Sequence, residues 1–185
     1  MIGVTALRKG VTFELDGQLY RVLEYEHYKP GRGNAVIRTK LRNLRTGAVI
    51  DKNFLSGDRV QDVRLDHHTV QYLYRDGDLY YFMDTETYEQ PALTGEALGD
   101  AVNYLKEGVT LELSLFEGKP IDIELPVTVE LLVVDAPMAI AGDTATGATK
   151  PVTTETGLKV TVPLFVNQGD TIRVDTRTGG YLTRV

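Results

Sequence analysis

The sequence predicts an all-β protein made of three small barrels, and three observations support this. Short segments alternate apolar and polar residues with a period of two, the pattern of strands that bury one face. Groups rich in Gly and Asp separate these segments at the spacing of hairpin turns. One stretch has helical periodicity, with Ala97, Leu98, Ala101, Val102 and Leu105 on one face. Many short strands with a single short helix are typical of small β-barrels.

The turns place the strands in order along the chain. Asp16-Gly17 is predicted to be a two-residue hairpin turn, because both residue types tolerate positive φ. The tetrapeptides 44–47, 75–78 and 117–120 are predicted to connect later strands. The predicted strands are Val11–Leu15, Leu19–Tyr25, Ala35–Asn43, Ala48–Leu55, Val70–Tyr74, Leu79–Met83, Val109–Leu115, Ile121–Leu125, Val127–Asp135, Leu158–Val162, Leu164–Val166 and Thr171–Asp175.

The length fits three domains of similar size. The chain has 185 residues, and a third of that, about 60 residues, is the size at which a small barrel can still fold alone. A change in charge near Leu65 marks one boundary, and Pro126, which lies between two predicted strands, marks a second. We therefore expect domains at 1–64, 65–126 and 127–185.

Composition excludes several classes of protein. The chain has no Cys, which excludes disulfide scaffolds, thiolate zinc sites and cysteine nucleophiles. Its longest hydrophobic run is five residues, Leu79–Met83, whereas a membrane-spanning helix needs about 18. The first residues lack the basic start and apolar stretch of a signal peptide. These features predict a soluble, cytoplasmic protein with no membrane partner.

The charge is unevenly distributed along the chain. The whole chain has a net charge of −6, which taken alone argues against nucleic acid as a partner. Residues 1–64, however, carry 12 basic and 7 acidic side chains, whereas residues 65–126 carry 3 and 13. No acidic residue occurs between Glu26 and Asp51. This polarity is consistent either with one end presented to a polyanion or with a solvated basic hairpin.

The side chains offer little catalytic chemistry. His67 and His68 are adjacent, so on a strand they would point to opposite faces and form no metal pair. Neither Ser56 nor Ser114 lies in a Gly-x-Ser-x-Gly turn. The tripeptide 31–33 is too short to predict a phosphate-binding loop. We expect a binding protein, not an enzyme, with no metal and no cofactor.

The segment 28–34, between two predicted strands, is expected to form a hairpin tip. Pro30 fixes φ, and Gly31 and Gly33 are expected to adopt conformations closed to other residues. Arg32, flanked by these glycines, has no bulky neighbour, so its guanidinium could enter a narrow space and donate to phosphate or ribose oxygens. An ordinary glycine-rich turn with a solvated Arg is the alternative.

The sequence resembles a known family, and the matching segments extend along the full length of the chain. The loop Lys29-Pro30-Gly31-Arg32-Gly33 resembles the tip of the first domain of bacterial translation elongation factor P. The other segments that match this family, in order, are 41–47, Phe82-Met83-Asp84 with Thr87-Tyr88, Gly142-Asp143-Thr144, Lys150 with 155–157, 162–166, and 175–179 with Tyr181.

This resemblance implies a fold and a function. The fold would be an SH3-like, KOW-type barrel followed by two OB-fold barrels in an L-shaped, tRNA-like arrangement. The function would be binding to the 70S ribosome between the P and E sites as a monomer. There the protein would stimulate peptide bond formation at stalled polyproline sequences by positioning the CCA end of the P-site tRNA. The implied partners are ribosomal RNA, P-site tRNA and mRNA in the E site.

The resemblance also implies roles for individual residues. Arg32 would contact the P-site tRNA near the peptidyl transferase centre, with Lys29, Pro30, Gly31 and Gly33 holding the tip. Lys40 and Arg42 would form a basic face toward RNA. The loop near mRNA would consist of Gly142, Asp143 and Thr144. Tyr181 and Arg184 would be C-terminal RNA contacts. For Tyr181, packing against its own barrel is the alternative.

Two questions stay open at the level of the sequence. Many relatives carry a modified lysine at the position of Arg32, and another branch carries a rhamnosylated arginine in a different surrounding loop. Arg32 could therefore be modified or act as a plain guanidinium. The alternatives to the factor itself are its factor-P-like paralogue or another KOW/OB ribosome-associated RNA-binding protein.

Overall fold

The computed structural model describes residues 1–138 and 148–185. In these two ranges, strands form three nearly closed, barrel-like sheets, which confirms the predicted all-β fold class. The same residues contain no helix long and apolar enough to cross a membrane.

The first sheet contains six strands in the order β1-β6-β2-β3-β4-β5. Along β4 every second residue is buried, so Ile37, Thr39 and Leu41 face the interior. Phe13 and Phe54 pack edge to face in the same core. The strands are β1 Ile2–Gly3, β2 Thr12–Leu15, β3 Gln18–Tyr28, β4 Val36–Asn43, β5 Val49–Leu55 and β6 Arg59–Asp62. A 3-10 turn, Val4–Ala6, follows β1.

The second sheet contains five strands in the order β11-β10-β7-β8-β9. Tyr72 and Phe82, on neighbouring strands β7 and β8, are buried with their ring centroids 5.6 Å apart. The strands are β7 Asp66–Asp76, β8 Leu79–Asp84, β9 Ala92–Thr94, β10 Thr110–Phe116 and β11 Lys119–Glu124.

The third sheet has the order β14-β13-β12-β15-β16. Val129, Leu131 and Val133 alternate along β12 and are buried in one apolar cluster. The strands are β12 Thr128–Asp135, β13 Thr149–Thr154, β14 Lys159–Pro163, β15 Thr171–Asp175 and β16 Tyr181–Arg184.

Two of the hairpin turns consist of residue pairs in the left-handed region. Asp16 and Gly17 have φ of 52° and 74°, and they connect Leu15 to its partner Gln18 as predicted. Positive φ at both positions gives the turn the twist that antiparallel strands need. Glu117 and Gly118 have φ of 50° and 78° and connect β10 to β11, so this turn is two residues shorter than the predicted tetrapeptide.

The turn after β8 is held by one carboxylate. Asp84 Oδ1 accepts hydrogen bonds from the backbone N–H groups of Glu86 and Thr87 at 2.8 and 3.0 Å. Its Oδ2 lies 2.6 Å from His68 Nδ1. These hydrogen bonds lower the pKa of Asp84 from 3.8 to about 2, and the hydrogen bond with His68 has the largest effect. The segment 82–88, which contains residues that match the family, therefore includes a turn held by the hydrogen bonds of Asp84.

Two predicted elements need correction. Leu164–Val166 is a turn and not a strand, because the Val166 amide donates to the carbonyl of Pro163; its apolar character reflects the burial of Val166 in the third core. The helical stretch is an α-helix, α1, only at Gly95–Leu98, and continues as the 3-10 segment Gly99–Tyr104. Gly99, with φ of 57°, ends the α-helix.

The fold also contains strands that the pattern did not predict, all short or interrupted by an atypical residue. β13, for example, contains Pro151, a residue that argues against a strand because it donates no hydrogen bond. The unpredicted strands are β1, β6, β9, β13 and β16.

The chain divides into two compact units. The first comprises Met1–His67 together with Leu93–Gly99 and Ser114–Asp122. The second comprises His68–Ala92, Asp100–Leu113 and Ile123–Val185. The first unit thus combines the six-stranded sheet with two segments that come much later in the chain.

Within the first unit, Gly47 lies against the backbone of α1. Its φ is 76°, and a Cβ built on it would lie 2.4 Å from the carbonyl oxygen of Glu96. Gly17, in the same unit, has nearly the same φ of 74° but no atom within 4 Å of such a Cβ. Gly47 therefore has two reasons to be Gly, and Gly17 has one.

We predict that Gly47→Ala destabilises the protein by about 1–3 kcal/mol more than Gly17→Ala, because only the first substitution forces backbone atoms apart. Both variants should lose about 1–2 kcal/mol from placing Ala in the left-handed region. Urea unfolding of the two variants beside the wild type measures the difference. Equal losses would show that the contact of Gly47 with Glu96 does not limit the side chain at position 47.

Candidate nucleic-acid interface

The hairpin of β3 and β4 carries the predicted tip loop. The two strands pair from Tyr20 opposite Asn43 to Tyr28 opposite Val36, so the connecting loop is 29–35. Strand β3 extends three residues past the predicted Tyr25, which makes the paired part of the hairpin longer than expected. The loop thus lies at the end of a long antiparallel ladder.

The tip presents a cationic side chain to solvent. Arg32 is exposed, and its guanidinium has no hydrogen-bond or ion-pair partner in the two described ranges. Lys29 is exposed and Pro30 is half-buried. Gly33 has φ of 105°, a conformation that favours Gly, whereas the φ of Gly31 is not positive, so the expectation of a special conformation was wrong there.

Gly31 and Gly33 nevertheless share one property that matters for access. A Cβ at either position would find no atom within 4 Å. The backbone around Arg32 is therefore open on both sides, and the guanidinium can approach another molecule without steric hindrance from its neighbours.

The base of the tip is stiffened by an aromatic contact. The guanidinium carbon of Arg38 lies 4.4 Å from the ring centroid of Tyr28, the last residue of β3. Such contacts stabilise by about 0.5–1 kcal/mol at exposed sites. Tyr28 and Arg38 therefore connect the two strands where the loop begins.

The predicted basic face is less basic than the sequence suggested. Lys40 lies 3.8 Å from Glu24, and Arg38 lies 3.8 Å from Glu26, because the register of β3 and β4 places these residues opposite each other. Asp51 of β5 is the partner of Lys40 on its other side. These five side chains and three neighbouring residues line a groove of about 350 Å³. A linear sequence without acids at 27–50 does not reveal acids contributed by adjacent strands.

Arg42, the other residue of the predicted basic face, is largely occupied within the protein. Its Nη1 lies 3.9 Å from Oδ1 of Asp122, and its Nη2 donates to the carbonyl oxygen of Ala97 at 2.7 Å. Arg21, directly opposite Arg42 across β3 and β4, donates to Oδ2 of the same carboxylate. Only 3% of the Asp122 side chain is exposed. Nothing in the sequence distinguished Arg21 or Asp122, which lie within ordinary strand patterns.

The two C-terminal candidates lie on β16. Tyr181 is half-buried and packs against the apolar cluster of the third sheet, as expected for a residue that packs against its own barrel. Arg184 is about half exposed, lies 3.7 Å from Asp170 and places its guanidinium 5.1 Å from the ring of Phe165. Arg184 therefore remains accessible to a partner.

The predicted mRNA loop, Gly142, Asp143 and Thr144, lies outside the described residues. Within the ranges that the structure describes, no group of three or more His, Cys, Asp or Glu side chains could hold a metal ion. The described candidate contacts are therefore the tip loop and the face of β4 in the first unit and, taken separately, the end of β16 in the second.

Comparison with protein families identifies three successive regions. Residues 4–60 match the KOW-like domain of elongation factor P, residues 65–123 its OB domain and residues 129–184 its C-terminal domain. Curated relatives match over the full length of both chains. Identity is 52% with elongation factor P of Pelotomaculum thermopropionicum and 53% with that of Carboxydothermus hydrogenoformans.

The chain belongs to the elongation factor P family. This confirms the resemblance that the tip loop and the later motifs indicated, and it confirms the prediction of a translation elongation factor. The KOW-like and OB assignments of the fold are confirmed as well.

A solved structure has a similar fold over about two thirds of this chain. Eukaryotic translation initiation factor 5A from Methanococcus jannaschii aligns with a TM-score of 0.53 at 22% identity, covering 67% of this chain and 91% of its own. At this identity the likeness concerns the fold alone.

Proposed function

We propose that this member of the elongation factor P family binds the 70S ribosome between the P and E sites and relieves stalling at polyproline sequences. It does so by limiting the orientations of the CCA end of the P-site tRNA. The observation that carries the proposal is the exposed, unpartnered guanidinium of Arg32 at the glycine-flanked end of the β3–β4 ladder.

The chemistry of proline explains why such a side chain helps. Proline is a constrained secondary amine, so consecutive prolines hold the nascent chain and the attacking nitrogen in poor relative geometry. A guanidinium presents five N–H donors in a rigid fork, which suits phosphate and ribose oxygens of the tRNA end. Holding the reactants in place lowers the entropic part of the barrier. The protein then acts as a positioning factor and not as an enzyme.

The other predicted contacts fit the same proposal. Lys40, about 40% exposed, and Lys29 would meet RNA phosphates along the hairpin, and Arg184 would meet RNA at the end of β16. The ion pair of Lys40 with Glu24 is no obstacle, because exposed pairs contribute only about 0–1 kcal/mol. Gly142, Asp143 and Thr144 would approach mRNA in the E site, and Tyr181 would support the C-terminal contact. The protein would act as a monomer in the cytoplasm, where ribosomes are found.

Translation of a triple-proline reporter in a purified system tests the role of Arg32. The wild-type protein should relieve stalling, and Arg32→Ala should weaken the stimulation roughly 10- to 100-fold, because charge-assisted hydrogen bonds are worth about 1.5–3 kcal/mol. Arg64→Ala is the matched control, since Arg64 is also exposed and has no side-chain partner in the described residues. No relief by the wild-type protein contradicts the proposed function.

The state of Arg32 is decided by a separate measurement on the same protein. Intact-mass spectrometry of material purified from its native source distinguishes a plain from a rhamnosylated guanidinium. We propose that the unmodified guanidinium is sufficient, because it is already long and cationic. Stimulation that appears only with a mass-shifted protein would overturn this part of the proposal.

Lys40 and Arg42 should differ in how they affect ribosome binding. Lys40→Gln should lower the slope of log affinity against log salt by about 1, since one phosphate contact is lost. Arg42→Gln should leave that slope unchanged, because the Arg42 guanidinium is held by Asp122 and the carbonyl of Ala97. Filter binding or light scattering over a salt series measures both slopes. Equal changes in the two variants would contradict this distinction between Lys40 and Arg42.

A further inference from the structure

The base of the tip hairpin is attached to later segments of the chain through one buried carboxylate. Arg21 and Arg42 face each other across β3 and β4, and both contact Asp122, one oxygen each. Arg42 also donates to the carbonyl oxygen of Ala97 at the end of α1. The three side chains therefore connect the first sheet with both later segments of its compact unit, 93–99 and 114–122.

An apolar contact lies beside this carboxylate. Leu19 of β3, Leu44 directly after β4 and Ile121 of β11 form one buried cluster. Val63, Leu65 and Phe116 pack around it. An apolar cluster restrains distance but is not directional. The hydrogen bonds from Arg21 to Asp122 and from Arg42 to the carbonyl of Ala97 are directional, and the ion pair of Arg42 with Asp122 adds attraction. Together they restrain both the separation and the orientation of the hairpin.

The restrained residues and the tip belong to the same strands. From Arg21 to Tyr28 the ladder of β3 with β4 is continuous except for one irregularity between Val22 and Glu24. At about 3.3 Å per residue, the tip loop begins roughly 25 Å beyond Arg21. A small rotation at the level of Arg21 therefore becomes a displacement of several ångströms at Arg32.

We propose that Asp122 is a positioning residue, which sets the direction of the tip hairpin and hence the place of Arg32. This rests on the proposed function of Arg32. Asp122 touches no RNA in this account; it acts through Arg21 and Arg42. Without its charge, two guanidinium groups on directly opposed residues repel each other, and the hairpin base loses its directional contact.

The first test measures the geometry without a ribosome. The chain has no Cys, so two introduced cysteines can be labelled specifically. Lys29→Cys and Lys119→Cys are at exposed positions of the first unit. Pulsed electron paramagnetic resonance then measures the distance between the two spin labels. Asp122→Asn should broaden or shift the distribution of that distance. Arg42→Gln, which leaves Asp122 paired with Arg21, provides a second variant should Asp122→Asn fail to fold.

A control variant separates this effect from the general loss of an ion pair. Glu130→Gln removes the exposed pair with Arg173, 2.9 Å long, in the other compact unit. Its distance distribution should equal that of the parent. An unchanged distribution in the folded Asp122→Asn and Arg42→Gln variants would overturn the proposal.

The second test connects the geometry with function. In the triple-proline assay, Asp122→Asn should lose most of the stimulation at saturating protein while half-saturation stays at the same concentration. Glu130→Gln should retain full stimulation. Full stimulation by an Asp122→Asn protein with a broadened distribution would overturn the positioning role. The distance measurement needs no ribosome, whereas the proposed function of Arg32 is tested by the stimulation that the wild-type protein gives in the triple-proline assay. Failure of the positioning role and failure of the proposed function can therefore be distinguished.

Discussion

The buried carboxylate of Asp122 is the charged contact that joins the first sheet to a later segment of the same unit. Two arginines occupy opposed positions on neighbouring strands, an arrangement that would be unfavourable by itself. One carboxylate, almost fully removed from solvent, neutralises part of that charge: it accepts a hydrogen bond from Arg21 and forms an ion pair with Arg42. Breaking such a buried pair on one side costs about 3–5 kcal/mol, because it leaves a charge without a partner. In the proposed role, the interaction of Asp122 with the two arginines fixes the direction of the exposed β3–β4 hairpin.

The chemistry at the tip is correspondingly simple. Arg32 needs no base, metal or activated nucleophile for the role proposed here, only a definite place and open surroundings. Gly31 and Gly33 provide the open surroundings, while the contact of Arg38 with Tyr28 holds the strands together where the loop starts. The surrounding pairs of Lys40 and Arg38 with Glu24 and Glu26 limit the positive charge on the face of β4. A moderate charge suits a factor that must leave the ribosome as well as enter it.

Local patterns predicted the all-β class, most hairpins and the tip, because these depend on residues near each other in sequence. Asp16-Gly17 is an example, since its turn conformation is a property of the two residues themselves. Leu164–Val166 was misassigned as a strand because an apolar run is compatible with a turn whose last residue is buried. The pairing of Arg42 with Asp122 joins residues 80 positions apart, and no local pattern encodes it. The same holds for the acids that β3 and β5 place beside Lys40, which depend on strand register.

The proposed function is an acceleration of peptide bond formation through orientation of the reactants, with no chemistry contributed by the protein itself. The rate of bond formation to proline, measured over a range of temperature with saturating protein and without it, distinguishes orientation from chemistry. Orientation predicts a less unfavourable entropy of activation, with the enthalpy of activation nearly unchanged. An acceleration that arises from a lower enthalpy of activation would contradict it.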